Sequence, residues 1–312
     1  MNRQQKRDVY QGVIGVTVTP YYDNYEVNYG KMADLTKWWI SNGLVRGDAA
    51  LKVCSVMGEV PQLRENEWIN MLKTKVEAAE GKVDIIGGTH CKDTLRTIED
   101  IKKAHDVGIV GMQVAPPLFN DPNQDDILRY YEAISENSDI GIMVYQNHWY
   151  NYSAINAETL LKMKDFENIV CIKWASFPGC PDESMEELGK YFNLVQNDRL
   201  SRVGFHKKGG NGFLDETAVV YPPHELKIWK LLEQKKYSEA QELWDTVNAP
   251  IGVVGAKIRA KSGGAARTKK ALLNIMGHEV GEQRPPTLPI SESEKSELRS
   301  VLIDIGWPVP NS

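Results

Sequence analysis

The sequence predicts an α/β fold, a closed (β/α)8 TIM barrel followed by a C-terminal helical segment. Eight apolar, β-branched segments lie between residues 13 and 216, and amphipathic helical patterns separate them. Each strand–helix unit spans ~20 to 35 residues, and eight such units suit a closed parallel barrel better than an open doubly wound sheet. Strand patterns cease from about Pro222 onward. We therefore expect a barrel domain over residues 10–222 and a helical domain over residues 223–312.

The predicted elements follow one another in regular alternation. The strands are expected at residues 13–18, 50–55, 83–88, 110–115, 140–146, 169–175, 192–197 and 212–216. Two of the helices between them show clear apolar stripes, one at Leu95, Ile98, Ile101 and Ala104 and one at Ile127, Tyr130, Tyr131 and Ile134. Helix caps are predicted at Asp93 and Asn156, and helix ends at Gly43, Gly81 and Gly108. After the last strand, residues 225–247, 254–276 and 291–305 are predicted to be helical.

Composition and charge exclude several classes of protein. The 312 residues are 42% hydrophobic and 25% charged, and their formal net charge of -5 argues against a general nucleic-acid binder. The first residues have no apolar stretch that would make a signal peptide, and no segment predicts a membrane span, so we expect a cytoplasmic protein. The four cysteines and six histidines lack the spacing of metal ligands, so no metal site is expected.

Lys173 is the most informative residue of the chain. It is a single lysine within Asn168-Ile-Val-Cys-Ile-Lys-Trp-Ala-Ser176, whose other members are typical of a strand buried on both faces. Burial disfavours the charged ammonium, so a neutral amine that attacks a carbonyl becomes available near neutral pH. This is the requirement of a Schiff-base enzyme. The alternative is a lysine that extends its head group from the strand end into solvent.

The carboxyl ends of two other predicted strands also offer chemistry, because active sites of such barrels lie at these ends. Strand two ends in Cys54-Ser-Val-Met-Gly-Glu59, where backbone N–H groups of a glycine turn could hold a carboxylate; a plain turn is the alternative. Strand five ends in Val144-Tyr-Gln-Asn-His148. Tyr145 would lie beside the lysine of the neighbouring strand, in place to carry protons, unless it is only a packing residue. Asn147 follows at the same strand end and is a candidate substrate-binding residue.

These residues resemble the dihydrodipicolinate synthase and N-acetylneuraminate lyase family of class I aldolases over nearly the whole chain. The landmarks, in order, are Thr19-Pro20, Gly58-Glu59, Pro116-Pro117, Tyr145, Ile172-Lys173-Trp-Ala-Ser176, Gly209-Gly-Asn-Gly212 with Pro222, and Arg284-Pro-Pro-Thr-Leu-Pro289. The resemblance implies a TIM barrel with a three-helix C-terminal segment, assembled as a homotetramer. It implies Lys173 as the Schiff-base lysine and Tyr145 as the catalytic tyrosine, acting on a 2-oxo acid without metal or cofactor.

The departures from the family pattern concern the substrate. Ser55-Val-Met-Gly-Glu59 has Val56 and Met57 where the family commonly has two hydroxyl residues, and Leu118-Phe119 replaces the paired tyrosines of the synthase branch. The substrate-binding arginine that the synthases carry after the tyrosine is absent from residues 147–153. These departures argue against dihydrodipicolinate synthesis.

The replacements predict the character of the pocket and of its substrate. We expect an apolar pocket whose substrate-binding residues are Ser55, Val56, Met57, Phe119, Asn147 and Trp174, with Trp149 and Tyr150 as further lining or, alternatively, interface residues. Such a pocket predicts an aldolase that joins or separates pyruvate, or a similar 2-oxo acid, and an aromatic or otherwise bulky apolar aldehyde. The resemblance implies a hydratase-aldolase, because some members of the family are of this type. The alternatives are a dehydratase of a 3-deoxy-2-oxo sugar acid and a non-catalytic binding barrel.

Overall fold

A computed structural model of the chain describes residues 1–89, 92–117, 121–146, 154–197, 201–215, 217–264 and 266–311. It confirms the predicted fold: eight strands, each parallel to its neighbours, close into a barrel in sequence order. The strands are β1 (Gly12–Val16), β2 (Ala49–Lys52), β3 (Asp84–Gly88), β4 (Gly111–Val114), β5 (Gly141–Tyr145), β6 (Ile169–Trp174), β7 (Asn193–Gln196) and β8 (Gly212–Asp215).

Helices cover the outside of the barrel and continue beyond it. They are α1 (Arg3–Asp8), α2 (Tyr29–Ser41), α3 (Glu65–Ala79), α4 (Thr94–Asp106), α5 (Gln124–Glu136), α6 (Ala157–Lys162), α7 (Ser184–Leu188), α8 (Arg202–Lys207), α9 (Pro222–Glu233), α10 (Tyr237–Leu243), α11 (Ala249–Lys261), α12 (Arg267–Ile275) and α13 (Glu292–Asp304). Short 3-10 turns occupy Val60–Gln62 and Met163–Asp165, and a π-helical turn, Trp244–Asn248, joins α10 to α11.

Helices begin and end at the positions that the sequence predicted. The Asp93 side chain caps α4 by accepting a hydrogen bond from the backbone N–H of Arg96 at 3.1 Å. Asn156 stands at the N-cap of α6, although its side chain makes no capping hydrogen bond. Gly43, Gly81 and Gly108 follow α2, α3 and α4 with φ of 96°, 71° and 96°, a left-handed conformation that glycine adopts at little cost.

Side chains alternate between the inside of the barrel and the layer between sheet and helices. Ala50, Met143 and Cys171 belong to the small apolar cluster inside the barrel. Lys52, Tyr145 and Lys173 come two residues later on the same strands, so they point inward at the carboxyl end. The intervening residues Leu51, Val144 and Ile172 belong to the larger core outside the sheet.

The C-terminal segment is tied to the barrel by one buried and one partly buried ion pair. Lys270 of α12 places its Nζ 2.9 Å from Glu59 Oε1, and Arg284 donates two hydrogen bonds to the carboxylate of Glu67 in α3, at 2.7 and 2.8 Å. The domain boundary at residue 222 stays a proposal. Strands end at β8 as expected, but α9 packs on the barrel, its Trp229 ring 6.0 Å from that of Phe213 in β8.

Candidate active site

The structure brings Lys173 and Tyr145 together at the carboxyl ends of β6 and β5. The two residues are paired in the register of these parallel strands, so their side chains point to the same side of the sheet. Lys173 Nζ lies 3.8 Å from the centroid of the Tyr145 ring. Lys173 is 9% exposed and Tyr145 4% exposed. Lys173 is therefore largely buried, beside a phenol, at the end of the barrel where chemistry is expected.

A cavity of about 310 Å³ opens at Lys173. Four predicted site residues line it, namely Lys173, Ser55, Val56 and Met57. Six further polar or charged residues, which the sequence did not single out, also line it: Lys52, Gln113, Gln196, Asn197, Arg202 and Asp215. Val16, Leu214 and Trp244 complete the lining. The described wall is thus more polar than the apolar pocket that the sequence predicted.

The turn after β2 presents Ser55, Val56 and Met57 to the cavity. The turn is tight, because a Cβ added at Gly58 would lie 2.8 Å from the backbone nitrogen of Cys54. The Thr19 hydroxyl holds it by donating to the carbonyl of Gly58 at 2.7 Å. Among the described residues, Ser55 Oγ is buried and has no hydrogen-bond partner. The turn therefore keeps one hydroxyl group, that of Ser55, directly before Val56 and Met57, which have none.

Lys52 is a second lysine of the cavity, at the end of β2. It is 1% exposed, and its Nζ donates a hydrogen bond to Gln113 Oε1 of β4. Its place in an apolar strand is the same sequence signal that singled out Lys173. The sequence prediction for this strand covered the turn beyond β2 and did not include Lys52.

Arg202, at the start of α8, forms a buried charged group with two carboxylates. Its guanidinium donates to Asp215 and to Glu225, and Asn248 Nδ2 donates to the other oxygen of Glu225 at 2.6 Å. The guanidinium also stacks between aromatic rings, with Cζ 4.0 Å from the Phe213 centroid and 4.4 Å from that of Trp244. Hydrogen bonds to two carboxylates and stacking between two rings fix the plane of the arginine, so this group stiffens one wall of the cavity.

Four predicted site residues are not part of the described lining. Tyr145 is one of them, although its ring lies 3.8 Å from Lys173 Nζ. Trp174 is fully buried between sheet and helices, where its Nε1 donates to Asp182 Oδ1 at 3.1 Å. It points away from the cavity because consecutive strand residues face opposite sides and Lys173 faces inward. Phe119 and Asn147 lie outside the described residues, as do Trp149 and Tyr150.

Neither a metal cluster nor a membrane helix is found in the part of the chain that the structure describes. In that part, no three His, Cys, Asp or Glu side chains come together as metal ligands would. Over the same residues, no helix has the length and apolar character needed to cross a membrane.

A barrel lysine that lines a cavity, with a tyrosine ring beside it, is the arrangement that the sequence predicted for an imine-forming lyase. Comparison with known proteins agrees with this class. The chain belongs to the dihydrodipicolinate synthetase family, whose model matches residues 9–305. The family consists of class I aldolases and lyases, so the protein is an enzyme of this class.

Individual relatives are similar over almost their full length. The chain is 28% identical to 4-hydroxy-tetrahydrodipicolinate synthase 1 of Halalkalibacterium halodurans, over 92% of this chain and 94% of that protein. Among solved structures, a monomeric dihydrodipicolinate synthase variant superimposes with a TM-score of 0.85 at 26% identity, covering 96% and 98% of the two chains. The dihydrodipicolinate synthase of Thermotoga maritima gives 0.82 at 25% identity, covering 96% and 99%.

Proposed function

We propose that the protein is a Schiff-base lyase that makes or breaks a carbon–carbon bond between pyruvate, or a similar 2-oxo acid, and an aldehyde. The observation that supports this most directly is the position of Lys173 Nζ, in the cavity and 3.8 Å from the Tyr145 ring. The neutral amine adds to the 2-oxo carbon, and loss of water gives an iminium. The iminium accepts the electron pair of the breaking carbon–carbon bond, which leaves an enamine and releases the aldehyde. Protonation and hydrolysis then return pyruvate and free Lys173.

Tyr145 carries protons in this scheme. Its hydroxyl group serves the carbinolamine oxygen, which leaves as water, and the aldol oxygen, whose proton is removed as the aldehyde forms. The turn at Ser55–Met57 would hold the carboxylate of the oxo acid with backbone N–H groups and the Ser55 hydroxyl.

The aldehyde partner is proposed to be bulky and aromatic, as in a hydratase-aldolase. Val56 and Met57 carry no side-chain donors and line the cavity, and Trp244 adds an aromatic ring to the wall. These residues support an apolar group on the carbon that becomes the aldehyde. Phe119 and Asn147 remain proposed substrate-binding residues.

A dehydratase of a 3-deoxy-2-oxo sugar acid is the second candidate. It is favoured by Gln113, Gln196 and Asn197, which line the cavity with amide groups that suit sugar hydroxyls. The same iminium on Lys173 would expel water from the adjacent carbons instead of an aldehyde. The two reactions share the first step and differ in the product that is released.

Borohydride trapping tests the shared step. An iminium is reduced to a stable secondary amine, whereas a lysine held only by hydrogen bonds is not modified. We expect incubation with pyruvate and borohydride to add a pyruvate-derived mass to the peptide that contains Lys173. An unmodified Lys173 peptide across a panel of 2-oxo acids would contradict the proposal. Release of an aldehyde from an aldol adduct, compared with loss of water from a 3-deoxy-2-oxo acid, separates the two candidates.

A homotetramer and a cytoplasmic location belong to the same proposal. Light scattering is expected to give about four times the 35.2 kDa of one chain, and cell fractionation is expected to recover the protein with cytoplasmic enzymes. A monomer mass at micromolar concentration would contradict the first expectation.

A further inference from the structure

We infer that Lys52 binds the carboxylate of the 2-oxo acid, with its ammonium held in place by Gln113. This inference rests on the proposed function and specifies how the substrate is oriented. Lys52 lines the same cavity as Lys173, is 1% exposed, and donates a hydrogen bond to Gln113 Oε1.

The barrel topology places Lys52 opposite Lys173. The eight strands close in sequence order, so β2 and β6 are four strands apart in either direction around the ring. Lys52 and Lys173 both point inward near the carboxyl ends of these strands. A ligand whose carbonyl carbon is attached to Lys173 therefore presents its other groups toward β2. In a 2-oxo acid the carboxylate is bonded directly to that carbon, so it can be turned to this side.

Few side chains at the β2 end of the cavity can bind an anion. Val56 and Met57, which line it, carry no donor groups. Ser55 offers one hydroxyl, which is buried and has no hydrogen-bond partner among the described residues. Lys52 is the cationic side chain that β2 contributes, and its Nζ can donate to a carboxylate. A carboxylate that accepts from Lys52 and from Ser55 would gain a charge-assisted and a neutral hydrogen bond at the same end of the cavity.

Gln113 orients the lysine. Gln113 is 5% exposed and lies in β4. The residues on either side of it, Met112 and Val114, belong to the core outside the sheet, so Gln113 points inward. Its amide oxygen accepts from Lys52 Nζ and directs that group without adding a negative charge to the cavity. We therefore assign Lys52 as a binding residue and Gln113 as the residue that positions it.

Trapping with two matched ligands tests this assignment. Pyruvate and pyruvamide carry the same ketone and have similar size, but only pyruvate has a carboxylate. In the wild-type protein we expect the half-saturating concentration for borohydride trapping on Lys173 to be lower for pyruvate. In Lys52→Met, the value for pyruvate should rise by about 10- to 100-fold while that for pyruvamide changes little, since a charge-assisted hydrogen bond is lost only with the acid.

Three further variants make the test specific. Lys75→Met removes another buried lysine, one that does not line this cavity, and should leave the ratio of the two half-saturating concentrations unchanged. Lys52→Arg keeps the charge and should recover part of the preference for pyruvate. Gln113→Met keeps Lys52 but removes its support, so it should weaken pyruvate trapping by less than Lys52→Met. Gln113→Met also serves as the test if Lys52→Met does not fold.

The outcomes distinguish this inference from the proposed function. Equal trapping of pyruvate and pyruvamide in the wild-type protein would overturn the role of Lys52 and leave the imine chemistry intact. A preference for pyruvate that survives unchanged in Lys52→Met would also overturn it, because the carboxylate would then be bound elsewhere. Failure to trap either ligand on Lys173 would overturn the proposed function, and this inference with it.

Discussion

Lys173 and Lys75 are two buried lysines in very different surroundings. Each lies over an aromatic ring, Lys173 Nζ 3.8 Å from the Tyr145 centroid and Lys75 Nζ 4.4 Å from that of Trp39. Lys75, in α3, is fully enclosed, and its Nζ donates to Thr17 Oγ1 at 2.9 Å. Burial lowers the pKa of Lys75 well below its usual value. The difference is access, because Lys173 lines the cavity and Lys75 does not. Burial alone therefore does not identify a nucleophile.

The largest expected difference is between replacing Lys173 and replacing Lys75. Lys173→Arg keeps a positive charge but has no amine that forms an imine, so trapping of pyruvate should be lost completely. Lys75→Met fills similar volume without a charge and should keep trapping within about twofold, while the free energy of unfolding stays the same or increases. Mass spectrometry of trapped protein and chemical unfolding measure the two effects. Loss of trapping in a folded Lys75→Met protein would show that access to the cavity is not the deciding property.

The next largest effect is expected on turnover when the hydroxyl group of Tyr145, the ring beside Lys173, is removed. Tyr145→Phe keeps the ring that Lys173 Nζ contacts and removes only the hydroxyl group. Turnover should fall by about 10²- to 10⁴-fold, as expected when a positioned proton carrier is removed, with the fold unchanged. Trp39→Phe, at the ring beside Lys75, is the matched control and should leave turnover unchanged. Wild-type turnover in Tyr145→Phe would show that another group carries the proton.

The turn after β2 gives a smaller effect, on substrate preference. Introducing threonine at both Val56 and Met57 places two hydroxyl groups in the cavity, and each one left unpaired against an apolar ligand costs about 1 to 3 kcal/mol. With pyruvate as donor, the wild-type protein should prefer benzaldehyde to glyceraldehyde or aspartate semialdehyde, and the double variant should reduce that preference by about tenfold or more. Trp174→Ala, outside the cavity wall, controls for general loosening of the site. A wild-type preference for sugar aldehydes would favour the polar-substrate alternative.

The fold was predictable because local patterns repeat eight times. Each buried strand is followed by an amphipathic helix with recognisable ends, such as the Asp93 cap and Gly108. Lys173 could be found for the related reason that a single lysine interrupts an apolar strand. Applied consistently, the same reasoning would also have found Lys52 and would have turned Trp174 outward, since it follows an inward-facing residue.

Other features of the site depend on distant parts of the chain. Arg202 meets Asp215 and Glu225 across 13 and 23 residues, and no periodicity in the sequence indicates those pairs. Lys75 illustrates the same limit: its helix presents it to Thr17, 58 residues earlier. Polar contacts of this kind follow from tertiary packing, so the polarity of the cavity could not be read from its few apolar replacements.

The smallest expected effect concerns a charge that supports the barrel without entering the cavity. Hydrogen bonds from Arg284 hold the pKa of Glu67 below its usual value. A lowered pKa means that this stabilisation is fully present above the ordinary pKa of a glutamate and is lost as the pH falls through the lowered value. Glu67→Gln should therefore lower the free energy of unfolding at pH 7 by about 1 to 3 kcal/mol, and the difference from wild type should shrink as the pH falls below ~4.

Chemical unfolding at several pH values measures this difference. Glu292→Gln is the control, because Glu292 belongs to an exposed ion pair and little change is expected there. Pyruvate trapping should be unaffected, because Glu67, like Lys75, is not part of the cavity wall. A difference that stays constant down to pH 3 would show that Arg284 does not depend on the charge of Glu67.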